Sequence, residues 1–144
     1  MEITALATAA RNKAIYMKAN AAFNENRLID ASQFFAPDYI SDNVAQGNGR
    51  TGVQTYYENM RTLWPDVKVT VVQAVAEGDF VMVMCRATAT HSTVVMGIQP
   101  THKKIDIAYW NLHHHDKDGV IIEGWNMLDN AALMQQIGLL PTGK

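Results

Sequence analysis

The chain is predicted to fold as one α+β domain spanning residues 1–144, with about four long antiparallel strands in a cone-shaped, curved sheet. The sheet packs on three N-terminal helices, and a short helix closes the C-terminus. Three observations predict this. Up to Trp64 the apolar residues recur every three or four positions, as one face of a helix requires, whereas from Val67 onward they alternate with polar ones. Turn sequences at Glu77-Gly78-Asp79, around Gly97 to Pro100 and at Asp116-Lys117-Asp118-Gly119 cut the second half into hairpin-sized lengths. Helices grouped ahead of strands define the α+β class, and long antiparallel strands coil, so helices on the concave side enclose a cavity.

In order along the chain, Leu6, Ala10, Ala14, Met17 and Ala21 give the first helix its apolar stripe, with Thr4 as cap and Asn24-Glu25-Asn26 as stop. Ile29 to Phe35 reads as a second helix, stopped by Pro37 because the residue before a proline is pushed out of helical geometry. From Tyr39 to Gly52 the chain is polar and glycine-rich, with Asp42, Asn43, Gln46, Gly47, Asn48 and Gly49, and an ordered loop is expected. Val53, Tyr56, Tyr57 and Met60 share one side of a third helix ending at Trp64. Strands follow at Val67 to Val71, Phe80 to His91, Lys104 to His115 and Val120 to about Met127. Asp129 immediately precedes the last helix, where its carboxylate can accept the first free amide hydrogens.

The 144 residues suffice for one core that buries about two-thirds of the unfolded surface. Charged residues are 18% of the chain, against about 25% in ordinary domains, and 48% are apolar. An oligomer interface, an apolar pocket, or both must hide the excess, so a homodimer or higher homo-oligomer is expected. A net charge of −2, with Lys and Arg scattered, argues against a nucleic-acid partner. The N-terminus lacks a basic segment followed by an apolar core, and no run of about eighteen apolar residues occurs, so no membrane association and a cytoplasmic location are expected. Cys85, alone in an apolar strand, reads as a buried structural thiol.

Several residues are candidates for chemistry. His91 ends a row of Val81, Val83, Cys85, Ala87 and Ala89, in which small groups leave space before the sheet; it either faces a cavity or bonds a loop carbonyl. Asp106 shares parity with Ala108, Trp110 and Leu112; it is either a carboxylate in a hydrophobic wall, with a raised pKa, or a solvent-facing residue near the rim. Tyr39, Tyr56, Tyr57, Trp64, Trp110 and Trp125 offer flat surface for a small apolar or aromatic ligand, and Tyr39, Tyr56, Trp64, Trp110 and Leu112 are the candidate lining. Glu123 differs in parity from Asn126 and should point away from it. His113-His114-His115 alternates sides on a strand, which prevents convergence on one metal ion, and is expected to be solvated beside its turn. No nucleotide loop, hydrolase elbow or zinc-protease sequence occurs, so no cofactor is expected.

Met96-Gly97-Ile98-Gln99-Pro100-Thr101, the Asp118-Gly119 turn, Glu123-x-Trp125-Asn126-x-x-Asp129 and Leu133-Met134-Gln135-Gln136-Ile137-Gly138 follow in an order that resembles the SnoaL-like polyketide cyclases, small members of the nuclear-transport-factor-2-like superfamily. Ala22-Phe23-Asn24, Arg27, Pro37-Asp38-Tyr39 and Thr51-Gly52 extend the resemblance over most of the chain. It implies a cone-shaped fold and cofactor-independent proton transfer on an apolar carbonyl compound, in ring closure or isomerisation. His91 falls where such cyclases carry a pocket histidine, and Asn126 where they place a catalytic aspartate. An amide cannot accept and return a proton near neutral pH, so Asn126 would orient or polarise, His91 would titrate, and Asp106 would be a reserve acid. Alternatives are a non-catalytic ligand-binding or scaffold protein, and a ketosteroid-isomerase-like enzyme using another carboxylate. The Asp-Arg-Asp set of limonene-epoxide-hydrolase-type chemistry is represented only by Arg86.

Overall fold

In a computed structural model, residues 2–42 and 47–141 are described. Asn43 and Gln46 of the expected loop lie outside them. The elements are α1 (Glu2–Asn24), α2 (Leu28–Ser32), β1 (Phe35–Ser41), α3 (Gly49–Leu63), β2 (Lys68–Glu77), β3 (Phe80–Thr90), β4 (Lys104–His115), β5 (Ile121–Leu128) and α4 (Asn130–Gln136). The α+β class and the curved sheet on helices are as the sequence predicts, but the sheet has five strands, in the order β1-β5-β4-β3-β2.

The added strand is β1. Pro37 ends the helical tendency early, so α2 stops at Ser32, and Phe35 to Ser41 runs extended, parallel to β5. At the sheet edge Pro37 removes no ladder bond the sheet needs. Phe35, Ala36 and Tyr39 form a small core with Val53 of α3 and Ile121 of β5.

The first helix forms, yet its buried face is not the one the apolar stripe suggests. Ala9, Asn12, Tyr16, Ala19 and Phe23 turn inward, while Leu6 is 70% and Met17 43% exposed. The inward set also spaces at three and four residues, but Asn12 and Tyr16 conceal it from an apolar count. The helix begins at Glu2, so Thr4 lies inside its first turn rather than capping it. Asn24 fastens it to the sheet: its Nδ2 donates to the Val69 carbonyl at 2.7 Å and its Oδ1 accepts from the Val69 amide at 2.8 Å.

Antiparallel registers set the two faces of the sheet. Val81, Val83, Cys85 and Ala89 of β3 and Ile105 and Ile107 of β4 are buried on the concave side. On the convex side Met84, Trp110 and Met127 form one cross-strand row, and Met82, Leu112 and Trp125 the next. At the end of β5 the Asp129 carboxylate accepts from the Ala132 amide at 3.0 Å, the expected helix cap.

Candidate functional site

A cavity of about 390 Å³ lies between α1, α3 and the concave sheet. Ala87 and Ala89 supply its depth, since small side chains leave space above the strands; Phe23, Trp64, Ile105 and Ile107 contribute apolar wall. Asn111 of β4 pairs in register with Asn126 of β5, which puts two amides side by side. Asn126 Nδ2 donates to Asn111 Oδ1, and Asn111 Nδ2 donates to the Tyr16 hydroxyl at 3.3 Å. The Tyr16 hydroxyl lies 3.7 Å from Cys85 Sγ, with either atom able to donate. Asn126 Oδ1 is buried without a partner, as is His113 Nδ1.

Local sequence holds this strip in place. The Asn126 amide donates to Asp42 Oδ1 at 3.0 Å, and the Asp42 amide to the Gly124 carbonyl at 3.1 Å, so the end of β1 fixes β5. A Cβ at Gly124 would stand 2.1 Å from the Tyr39 hydroxyl and 3.0 Å from His113 Cδ2, so glycine is what lets Tyr39 lie across the strand.

Burial keeps the polar groups uncharged. It raises the phenols of Tyr16, Tyr57 and Tyr109, and pushes Tyr39 up to about 12. Burial, aided by neighbouring His115, pushes His113 down to about 3. At neutral pH the strip therefore offers neutral donors and acceptors. Among the described residues no Asp, Glu, Lys or Arg lines the cavity.

Of the residues singled out from sequence, Tyr39, Tyr56, Tyr57, Trp64 and Asn126 border this space. His91 does not. It is fully buried beside Trp64, ring centroids 5.9 Å apart, with Nδ1 2.9 Å from Thr101 Oγ1 and accepting from the Thr101 amide at 3.3 Å. It thus ties the β3–β4 loop to the strand end.

Asp106, Trp110 and Leu112 belong to the opposite parity of β4 and do not line the cavity, contrary to the expected lining. Asp106 sits in no hydrophobic wall: its side chain is 58% exposed and its Oδ1 accepts from Arg86 Nε at 2.7 Å. Trp110 is 48% exposed on the convex face. The histidine run alternates as expected, but only in part is it solvated. His113 and His115 are buried, His115 Nδ1 lying 2.8 Å from the Gly119 carbonyl, while His114 stacks on Phe80 with centroids 4.4 Å apart. Among the described residues no group of three His, Cys, Asp or Glu side chains converges as metal ligands do.

Tyr16, Tyr109, Asn111 and His113 are site residues that sequence reasoning missed. The available signal was positional: residues 105, 107, 109, 111 and 113 share one parity, and Asn12, Tyr16 and Phe23 share a helical face.

A curved sheet wrapped on helices around a polar-striped cavity defines the nuclear-transport-factor-2-like cone. Within that class, the model of the SnoaL-like polyketide cyclase family matches residues 13–137, and the chain belongs to that family. Solved structures agree. AclR of Streptomyces galilaeus, a hydroxylase candidate, is 25% identical with a TM-score of 0.84, over 94% of this chain and 86% of its own. IdmH of Streptomyces antibioticus, a polyketide cyclase candidate, is 27% identical with a TM-score of 0.79, over 88% of this chain and 98% of its own. No protein of curated function matches the chain. No helix among the described residues is long and apolar enough to cross a membrane.

Proposed function

We propose that the cavity binds a neutral, mostly apolar carbonyl compound of ring size, and that any proton transfer to or from it passes through His113. The observation that carries this is the lining itself: aromatic and aliphatic walls with one strip of uncharged amide, phenol and imidazole groups. Buried polar atoms without partners, the acceptor Asn126 Oδ1 and the ring nitrogen His113 Nδ1, which donates or accepts according to its tautomer, are the groups a ligand would satisfy. Likeness to a cyclase candidate supports cofactor-independent ring closure or isomerisation, in which neutral donors polarise a carbonyl. His91 then acts at a distance, holding Trp64 and the β3–β4 loop.

A second reading, binding without catalysis, is favoured by a specific observation. An imidazole held near 3 is a weak base at neutral pH, and the sequence resemblance implies that Asn126 replaces the aspartate such cyclases use. Proton exchange separates the two. A β-keto ester in heavy water, followed by NMR, is expected to exchange its α-hydrogens faster with the wild-type protein than with His113→Asn. Exchange no faster than buffer would remove the catalytic reading and leave binding.

The convex rows Met84-Trp110-Met127 and Met82-Leu112-Trp125 support a homodimer. Trp110 is 48% and Met127 75% exposed, an apolar centre bordered by the Arg86–Asp106 pair and by His114 and Glu123, which is how interfaces are built.

A further inference from the structure

The strip runs on to a sulfur, Cys85, which has the hydroxyls of both Tyr16 and Tyr109 as partners, each able to donate or accept. Cys85 is fully buried, its Sγ faces the Tyr16 hydroxyl, and either atom can be the donor. As drawn, the bonds run Asn126 Nδ2 to Asn111 Oδ1, Asn111 Nδ2 to Tyr16, and Tyr16 hydroxyl to Cys85. Asn126 Oδ1 is then left over as an acceptor. Now rotate both amides by half a turn and reverse the hydroxyl and thiol. Cys85 donates to Tyr16, Tyr16 to Asn111 Oδ1, and Asn111 Nδ2 to Asn126 Oδ1. The number of bonds is unchanged, no proton leaves its heavy atom, and the group left over on Asn126 is a donor. Hydroxyls and thiols can do both jobs, so the chain has no built-in direction.

We propose that the Cys85–Tyr16–Asn111–Asn126 chain reverses polarity with its ligand, so that one site takes a hydroxyl, read by Asn126 Oδ1, or a carbonyl, read by Asn126 Nδ2. The substrate class this fits is a compound that passes between keto and enol forms, because both forms are held without breaking the chain. Cys85 lies outside the cavity lining and acts through Tyr16, which makes it a positioning residue. This rests on the reading of the cavity as a small-molecule site.

Cys85→Ala removes the acceptor for the Tyr16 proton. That proton then has Asn111 Oδ1 as its partner, and the chain locks in the direction that presents a donor to the ligand. The test is calorimetric titration with benzo[g]indole, 2-acetylnaphthalene and 2-ethylnaphthalene, which offer a donor, an acceptor and neither; the pyrrole-type N–H of the first cannot accept, as a hydroxyl could. For the wild type, the first two should bind more tightly than the third and within about threefold of each other, as equivalent hydrogen bonds require. In Cys85→Ala the benzoindole should weaken relative to the ketone by about fivefold or more, the worth of one unmade buried bond. Cys85→Ser, which both donates and accepts, should restore parity. An unchanged benzoindole-to-ketone ratio in Cys85→Ala, or a wild type that binds only one of the pair, overturns the reversal and leaves the binding site standing. Failure of all three probes to bind the wild type overturns both.

Discussion

Acidification should destabilise this protein well above the range in which carboxylates titrate, and His113 is the reason. Its imidazole is buried and held at about 3, against an ordinary value of 6.5. Between those two values the folded chain keeps the ring neutral while the unfolded chain takes up a proton, so stability falls as pH falls through the window and is unaffected above it. Each pH unit costs about 1.4 kcal/mol, so the whole window is worth about 5 kcal/mol and the stretch from 6.5 to 5 about 2 kcal/mol. His115, also held low chiefly by burial, adds in the same direction. At an m-value of about 2 kcal/mol/M, the urea midpoint should drop by about 1 M or more between pH 7 and pH 5. His113→Leu should recover most of that drop. A wild-type midpoint that does not move across this interval would show that His113 takes a proton freely, and the buried neutral strip would be wrong.

Other substitutions probe other parts of the account. Gly124→Ala drives a methyl group into the Tyr39 hydroxyl, 2.1 Å away, and should cost about 1–3 kcal/mol by thermal unfolding while weakening ligand binding. Asn24→Ala removes both bonds to Val69 and should lower stability by about 1–3 kcal/mol without changing ligand selectivity, measured by urea unfolding and titration. Trp110→Glu puts a charge at the centre of the convex apolar rows and should convert a dimer to monomer in sedimentation analysis; an unaffected dimer would place the interface elsewhere. His91→Ala should lower stability but leave turnover of β-keto esters within a few-fold, because the ring lies behind the wall; a complete loss would return it to the reacting centre.

The architecture was largely legible because its signals are local. Alternation after Val67, the Glu77-Gly78-Asp79 turn and the Asp129 cap each act within a few residues, and the elements they predict are present. β1 escaped because its pairing is with β5, some eighty positions later, and Pro37 in its middle looks like a breaker unless the strand is known to lie at an edge. The site was less legible for a related reason. On β4 the convex residues Trp110 and Leu112 are more hydrophobic than the concave Asn111 and His113, so an apolar count assigns the wrong face. The same inversion hides Asn12 and Tyr16 on α1. A polar strip inside a cavity, beside an apolar surface outside it, reverses the pattern on which sequence reading depends.

The proposed ligand is uncharged and meets only neutral partners in this cavity. Calorimetric titrations at pH 7.5 that compare 2-acetylnaphthalene with 2-naphthoate, which is of similar shape but carries a charge, decide whether this is so. With no cationic side chain among the described lining residues to meet it, the carboxylate should bind at least about tenfold more weakly than the ketone. Equal or tighter binding of the carboxylate would contradict the account.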